Sequence, residues 1–357
     1  RPAAIDHDHM TDGRPRYPGH RRILVFAALA ISLVAVACGG DFPQSSLHPQ
    51  SDVAREIDSL FRGIFWWAMG VLVLVEGALI VAIIRFRERP GAEKPKPVHG
   101  NTALEIGWTL APAIILIFIG VPTMITLWRI DRPPPSSDVR VEVIGHQWWW
   151  EFNYPDLGVT TANELHVPVG KTVDLRLKTD DVVHSFWFPR VSGKRDLVPG
   201  TENHLWFTPD SVGVYPGQCA EFCGTSHALM GMRLFVDTPE EFERWAAREA
   251  SPQEARDESP SSDDPSVLAG REIFFGVGGC ISCHAIRGTV AAGIVGPDLT
   301  HVGSRSTIAA GVLENTPDNL VKWINEPHEV KPNNLMLDMG LSDEQARQVA
   351  AYLLSLE

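Results

Sequence analysis

Two long apolar runs limit what this chain can fold into. Residues 63–84 are uncharged except for Glu76, and residues 106–128 carry no charge. Each reaches the length of about 20 apolar residues needed to cross a bilayer. A lone segment can cross only as a helix, which satisfies its backbone groups internally. Between the runs lie Arg85, Arg87, Arg89, Lys94 and Lys96, and such a basic loop stays in the cytoplasm. The chain therefore reads as a transmembrane hairpin over 52–130, with everything after Trp128 outside the cytoplasm. Trp66, Trp67, Trp108 and Trp128 fall where an aromatic belt would meet the two interfaces. Pro112 and Pro122 would kink a lone helix, so neighbouring helices must absorb their cost. Glu76, an intramembrane carboxylate, receives no role.

The start of the chain carries an export signal. Arg21 and Arg22 precede an apolar run that ends Ala35-Val36-Ala37-Cys38-Gly39-Gly40. A basic beginning, a short apolar stretch and small residues before a cleavage point form a secretory leader, here 1–38. The small residues around Cys38 are similar to a lipoprotein box, with Ala35 where Leu is usual. Lipidation of Cys38 is the reading; a plain signal and an uncleaved anchor are the alternatives.

The other four of the five cysteines sit in two chemical motifs. Cys219-Ala220-Glu221-Phe222-Cys223-Gly224-Thr225-Ser226-His227-Ala228-Leu229-Met230 offers two thiolates, an imidazole and a thioether. All are soft or borderline ligands suited to copper. Alone, Cys219 and Cys223 would suit a disulfide in an exported domain. His227, Met230 and the upstream His184 favour a metal instead. Cys280-Ile281-Ser282-Cys283-His284 is a heme c attachment motif: both thiols bond the porphyrin and the imidazole ligates iron.

Between the hairpin and the heme motif the pattern alternates with period 2, as in Val139-Arg140-Val141-Glu142-Val143 and Met232-Arg233-Leu234-Phe235-Val236. Turn pairs such as Val169-Gly170 and Pro199-Gly200 separate short runs, so 138–239 reads as an all-β sandwich or barrel. Residues 240–264 are strongly acidic. Their first half suits a helix closing the β domain, and their second half a solvated linker that fixes neither neighbour. The remaining 265–357 suit one small all-α domain. Its first helix is expected near 270–275 and its last over 342–356, with Glu344 completing a capping box after Ser342. His301, Trp323 and His328 read as packing or surface residues.

These motifs together resemble subunit II of cytochrome c oxidase, in the subgroup with a fused C-terminal cytochrome c. The resemblance runs from about residue 52 to the end. It implies a cupredoxin fold for the sandwich and a class I fold for the cytochrome. It also implies a binuclear CuA centre held by His184, Cys219, Cys223, His227 and Met230, with the Glu221 carbonyl as a weak ligand. In that family the Glu221 side chain reaches a magnesium ion shared with subunit I. Lys331-Pro332-Asn333-Asn334-Leu335-Met336 is similar to the family's distal-ligand loop, so Met336 rather than Met339 opposes His284 on the heme iron. Gly296-Pro297-Asp298-Leu299-Thr300 resembles the loop over the heme edge. Gly145-His146-Gln147-Trp148-Trp149-Trp150-Glu151-Phe152 resembles an aromatic cluster near the copper, with at least one Trp facing outward. Glu105, beside the second span, takes the position of an acid at the mouth of a proton path.

The implied function is that of an electron-accepting subunit. A cytochrome c-type donor or a cytochrome bc complex feeds heme c, then CuA, then a heme in subunit I, where oxygen is reduced to water and protons are pumped. Other oxidase subunits and the bacterial plasma membrane are the remaining partners, with the copper and heme domains on the outer side. The net charge of −13 suits attraction of a basic cytochrome and argues against nucleic acid. The chain has no nucleophile elbow, P-loop or Rossmann fingerprint. A CuA-bearing nitric oxide reductase subunit and a copper chaperone are the other classes; the fused heme motif and Glu105 argue against the chaperone.

Overall fold

The computed structural model describes residues 29, 32, 42–88, 90, 91, 97, 99–252 and 264–357. Cys38 and all of its leader but residues 29 and 32, the basic residues Arg89, Lys94 and Lys96, and linker residues 253–263 lie outside the described residues.

Both spans form helices that outrun their apolar stretches: α1 (Asp52–Arg85) and α2 (Thr102–Asp131). The first turn of α1 belongs to the soluble part of the molecule. Ser51 caps it by accepting a hydrogen bond from the Ala54 amide at 3.0 Å, and its hydroxyl donates to the Val191 carbonyl. Asp52 accepts the Thr208 amide at 2.8 Å. Val53 and Ala54 are thereby buried against the β domain. At the far end of α2, Ile130 packs on the same core, and Arg195 pairs with Asp131 at 2.7 Å. Pro112 and Pro122 lie within α2, which is assigned as one helix.

The β domain is two packed five-stranded sheets. The strands are β1 (Val139–His146), β2 (Trp149–Tyr154), β3 (Val159–Ala162), β4 (Glu164–Pro168) and β5 (Val173–Thr179). They continue with β6 (His184–Trp187), β7 (Arg195–Leu197), β8 (Asn203–Phe207), β9 (Gly213–Cys219) and β10 (Gly231–Asp237). One sheet runs β3-β2-β1-β5-β8 and the other β4-β10-β9-β6-β7. The β1–β5 and β4–β10 pairs are parallel and the rest antiparallel. The alternation seen in the sequence becomes a shared core: Val141, Val143, Leu175, Leu177, Phe186 and Leu234 are fully buried. Each such side chain contributes roughly 1.5–3 kcal/mol relative to exposure. Of the three consecutive tryptophans, Trp148 and Trp150 are buried, and Trp149 is the half-exposed one, stacked on His146 at 4.2 Å.

Helix α3 (Pro239–Ala250), formed by the first half of the acidic segment, packs on the sandwich core. Thr238 and Glu241 form its capping box, and Phe242 and Trp245 are its buried anchors. The C-terminal domain contains α4 (Pro265–Phe275), α5 (Pro317–Asn325), the short α6 (Pro327–Val330) and α7 (Asp343–Leu354). Two details differ from the sequence reading. Asp264 caps α4 and Pro265 fits its first position, so the helix begins before Gly270. Gln345, not Glu344, completes the capping box with Ser342, because Ser342 is the cap residue and Gln345 the third helical position.

The expectation of two unfixed domains is also corrected. The β domain and the C-terminal domain pack on one another through specific hydrogen bonds. Glu164, at the start of edge strand β4, is 4 % exposed; its carboxylate accepts the amides of Ser306 and Thr307 and both of their hydroxyls, at 2.6–3.0 Å for the shortest contact of each. The Gly231 amide donates to the Ala310 carbonyl at 3.0 Å. A Cβ at Gly231 would stand 2.9 Å from that oxygen, so only glycine permits the approach. Ala309 and Ala310 adopt left-handed backbone angles, φ 54° and 62°. Such positions cost of order 1 kcal/mol or more each and persist where packing imposes them.

Candidate metal centre

The loop from Cys219 to Met230 joins β9 to β10 and is closed at its base. The Cys219 amide donates to the Met230 carbonyl at 2.9 Å, and the Ala220 amide to the Ser185 carbonyl on β6 at 2.9 Å. A single 3₁₀ turn, His227–Leu229, brings Met230 back under the cysteines. This gathers the donors that the sequence scattered. Cys219 Sγ lies 3.8 Å from Cys223 Sγ, and both are free thiols, not a disulfide. His184 Nδ1 is 3.9 Å from Cys219 Sγ, while His227 Nδ1 is 3.6 Å and Met230 Sδ 3.8 Å from Cys223 Sγ. The Glu221 carbonyl stands 3.2 Å from Cys219 Sγ, with its side chain exposed. His184, Cys219 and Cys223 are buried and their ligand atoms lie within 4.8 Å of one another.

His184 is fully buried at the start of β6. Its ring occupies space left by Gly145, where a Cβ would come within 2.9 Å of His184 Cδ2. The other ring nitrogen, Nε2, is 2.8 Å from Asp181 Oδ1. This partner was not recognised in the sequence, although the Asp-x-x-His spacing carries it. Burial opposes protonation of His184, but the hydrogen bonds to Asp181 and Cys219 outweigh it and raise the pKa. Asp181 is likewise opposed by burial, yet hydrogen bonds from His184 and the Val182 and Gln147 amides hold it low. The Cys219 thiol is lowered, first by hydrogen bonding with Cys223 and then by His184 and nearby amides. Cys223 is raised because it keeps the proton between them. Two thiolates this close repel; a soft cation between them removes that conflict, so the donor set fits copper.

The loop is also braced from β1 and β2. Gln147 Nε2 and Trp148 Nε1 both donate to the Cys223 carbonyl, at 2.6 and 3.0 Å. The sequence pointed to this aromatic segment but not to the contact, which depends on how the β1–β2 turn meets a loop some 75 residues later.

A second set of ligands lies in the C-terminal domain. Cys280 to Ser282 form a 3₁₀ turn, and Cys280 and Cys283 are both half-buried. Burial pushes the Cys280 thiol up to about 11. His284 Nδ1 donates to the Pro297 carbonyl at 2.8 Å, which fixes the tautomer and leaves Nε2 free for a metal. Burial, the larger effect, lowers the His284 pKa and favours the neutral, ligating form. The residues fit a covalently attached heme. Met336 is partly buried against the domain core, with its amide held by Asn334 Oδ1 at 2.8 Å; Met339 is 41 % exposed. His301 is buried and faces the Glu357 and Ser251 carbonyls, and His328 is exposed, so both keep their structural reading.

Lys331, in the loop leading to Met336, touches the β domain. It is 3 % exposed, and its ammonium donates to the Trp148 carbonyl and, at 3.2 Å, to the Ala309 carbonyl. Burial pulls its pKa down to about 7.

Comparison with known proteins covers nearly the whole chain. The family described as cytochrome C oxidase subunit II, transmembrane domain, matches residues 41–125; its periplasmic domain matches 158–236, and the cytochrome c family matches 267–357. Cytochrome c oxidase subunit 2 of Alkalihalophilus pseudofirmus is 37% identical over 335 residues, 92% of this chain and 95% of that one. The chain belongs to the cytochrome c oxidase subunit II family. Subunit 2 of the Bacillus subtilis oxidase is 33% identical over 365 residues, covering 95% of this chain and 98% of its own. The chain is thus an electron-transfer subunit of a heme–copper oxidase type, with a C-terminal cytochrome c domain. Its two apolar helices and the matching transmembrane family make it a multi-pass membrane protein with extracytoplasmic soluble domains. A CuA-type copper site and a heme c site follow in general terms from the His–Cys–Cys cluster and the cytochrome match.

Proposed function

We propose that this subunit takes electrons from a cytochrome c-type donor or a cytochrome bc complex onto its own heme c. From there they pass to a binuclear CuA centre and on to a heme of subunit I, where oxygen is reduced to water with proton pumping. The observation that carries this reading is the pair of buried sulfurs 3.8 Å apart, flanked by one imidazole and one further donor on each side. Bound in these two sites, copper and heme iron supply one-electron chemistry at a potential set by their ligands.

The chain's own residues do the rest. Cys219, Cys223, His184 Nδ1 and His227 Nδ1 would hold the copper, with Met230 Sδ and the Glu221 carbonyl as weaker donors. One sheet carries these ligands, on β6 and the β9–β10 loop, in a rigid frame that limits rearrangement when charge changes. Cys280 and Cys283 would anchor the porphyrin, and His284 Nε2 and Met336 would hold its iron. The exposed Glu221 carboxylate would be the ligand to a magnesium ion shared with subunit I. Glu105, exposed in the first turn of α2, is the proton-path acid.

Purification of the membrane complex tests this directly. Two coppers and one covalent heme c per chain, together with oxygen uptake driven by reduced cytochrome c, are expected. A complex that lacks copper, or that takes up no oxygen, contradicts the reading.

A further inference from the structure

Three consecutive residues of the distal-ligand loop meet the copper domain. Lys331 donates to the Trp148 carbonyl, the Pro332 carbonyl accepts the Ser226 hydroxyl, and Asn333 Nδ2 lies 3.2 Å from Thr225 Oγ1. Ser226 and Thr225 belong to the copper loop, and Trp148 is bonded through its indole to the carbonyl of Cys223. The contact therefore joins the loop that holds Met336 to the loop that holds both cysteines.

Within this contact Lys331 stands apart. A buried ammonium is expensive unless it is paired. Both of its hydrogen-bond partners are carbonyls, one from each domain: Trp148 on the copper side and Ala309 on the cytochrome side. Ala309 holds a left-handed conformation, and its neighbour Ala310 turns its own carbonyl to the Gly231 amide, one residue after Met230. One strained turn thus serves Lys331 with one carbonyl and the copper loop's end with the next. Packing alone would be satisfied by an apolar side chain here; an amine that donates to a carbonyl of each domain adds direction.

We infer that Lys331 is a positioning residue for electron transfer between heme c and CuA, pinning the distal-ligand loop to the Trp148–Cys223 segment. This rests on the functional reading above. The transfer moves one electron from reduced heme iron to the oxidised copper pair, and no covalent bond to Lys331 forms or breaks. Its effect is on separation and coupling of the two centres, to which tunnelling is steeply sensitive. Electron delivery from an external donor to heme c does not involve it.

The test uses the complete oxidase with Lys331→Met and Lys331→Gln. Heme and copper absorption, the rate of donor-to-heme reduction, the flash-induced rate from heme c to copper, and hydrogen exchange of the amides in 225–232 are measured on each. Lys331→Met should keep both spectra and the donor-to-heme rate. It should slow heme-to-copper transfer tenfold or more and speed exchange at 225–232. Lys331→Gln, which keeps a donor, should fall between. Unchanged heme-to-copper transfer in Lys331→Met overturns the inference, and so does slowed transfer with unchanged exchange. Should the Met variant fail to accumulate, equal transfer rates in Lys331→Gln and the wild type overturn it instead. Missing copper or heme c bands in the wild type would overturn the functional reading, an outcome separate from any effect at Lys331.

Discussion

Asp181 Oδ1 accepts from His184 Nε2 at 2.8 Å, and this single hydrogen bond turns the opposite ring nitrogen toward Cys219 Sγ at 3.9 Å. A carboxylate thus orients the imidazole proposed to hold copper. Partners of this kind typically carry 10–100-fold in metal affinity or activity. Asp181→Asn should therefore weaken copper retention by about that factor, with the protein still folded. Copper titration against a competing chelator measures it, and unchanged affinity would contradict the role.

Cys219→Ser or Cys223→Ser should abolish the binuclear site, because a hydroxyl cannot replace a bridging thiolate. Metal analysis finding two coppers per chain in either variant contradicts the assignment. Met230→Leu should be milder. The thioether is one of several donors, so some copper should remain while the potential shifts and transfer slows.

In the cytochrome domain, His284→Ala should eliminate the low-spin heme c spectrum. Met336→Ala should leave heme attached through Cys280 and Cys283 but open the sixth position, giving a high-spin spectrum. The exposed Met339 should be replaceable by Ala with little spectral change. The reverse pattern would show that Met339 is the distal ligand.

Much of this was legible in the sequence because the motifs are local. Cys219 to Met230 and Cys280 to His284 each fit in a single loop, and the period-2 runs of β1 and β10 match their buried faces closely. What escaped was non-local or compensated. Asp181 acts through a hydrogen bond to His184, and Gln147 and Trp148 reach Cys223 across 75 residues or more. The docking of the two domains left no local pattern at all. Glu164 draws no attention in the sequence, and Lys331 only as the first residue of the distal-ligand loop. Only the folded chain shows both buried against the other domain.

Glu164 supplies a stability test of that docking. Its carboxylate satisfies two amides and two hydroxyls of Ser306 and Thr307. Glu164→Ala would leave the buried Thr307 donors unpaired, at about 1–3 kcal/mol for each such group. Differential scanning calorimetry of the full chain should then show the cytochrome domain unfolding earlier, separated from the copper domain. Heme and copper spectra at low temperature should be unchanged. A single unshifted transition would mean that Glu164 is not an anchor.

The order of electron arrival tests the central claim most directly. Stopped-flow mixing of the intact oxidase with its reduced cytochrome donor resolves heme c and CuA by their separate absorption bands. Heme c should be reduced first, with CuA following at the rate at which heme c is reoxidised. CuA reduced at full rate before heme c would contradict the account, since electrons would then bypass the cytochrome domain packed against the copper loop.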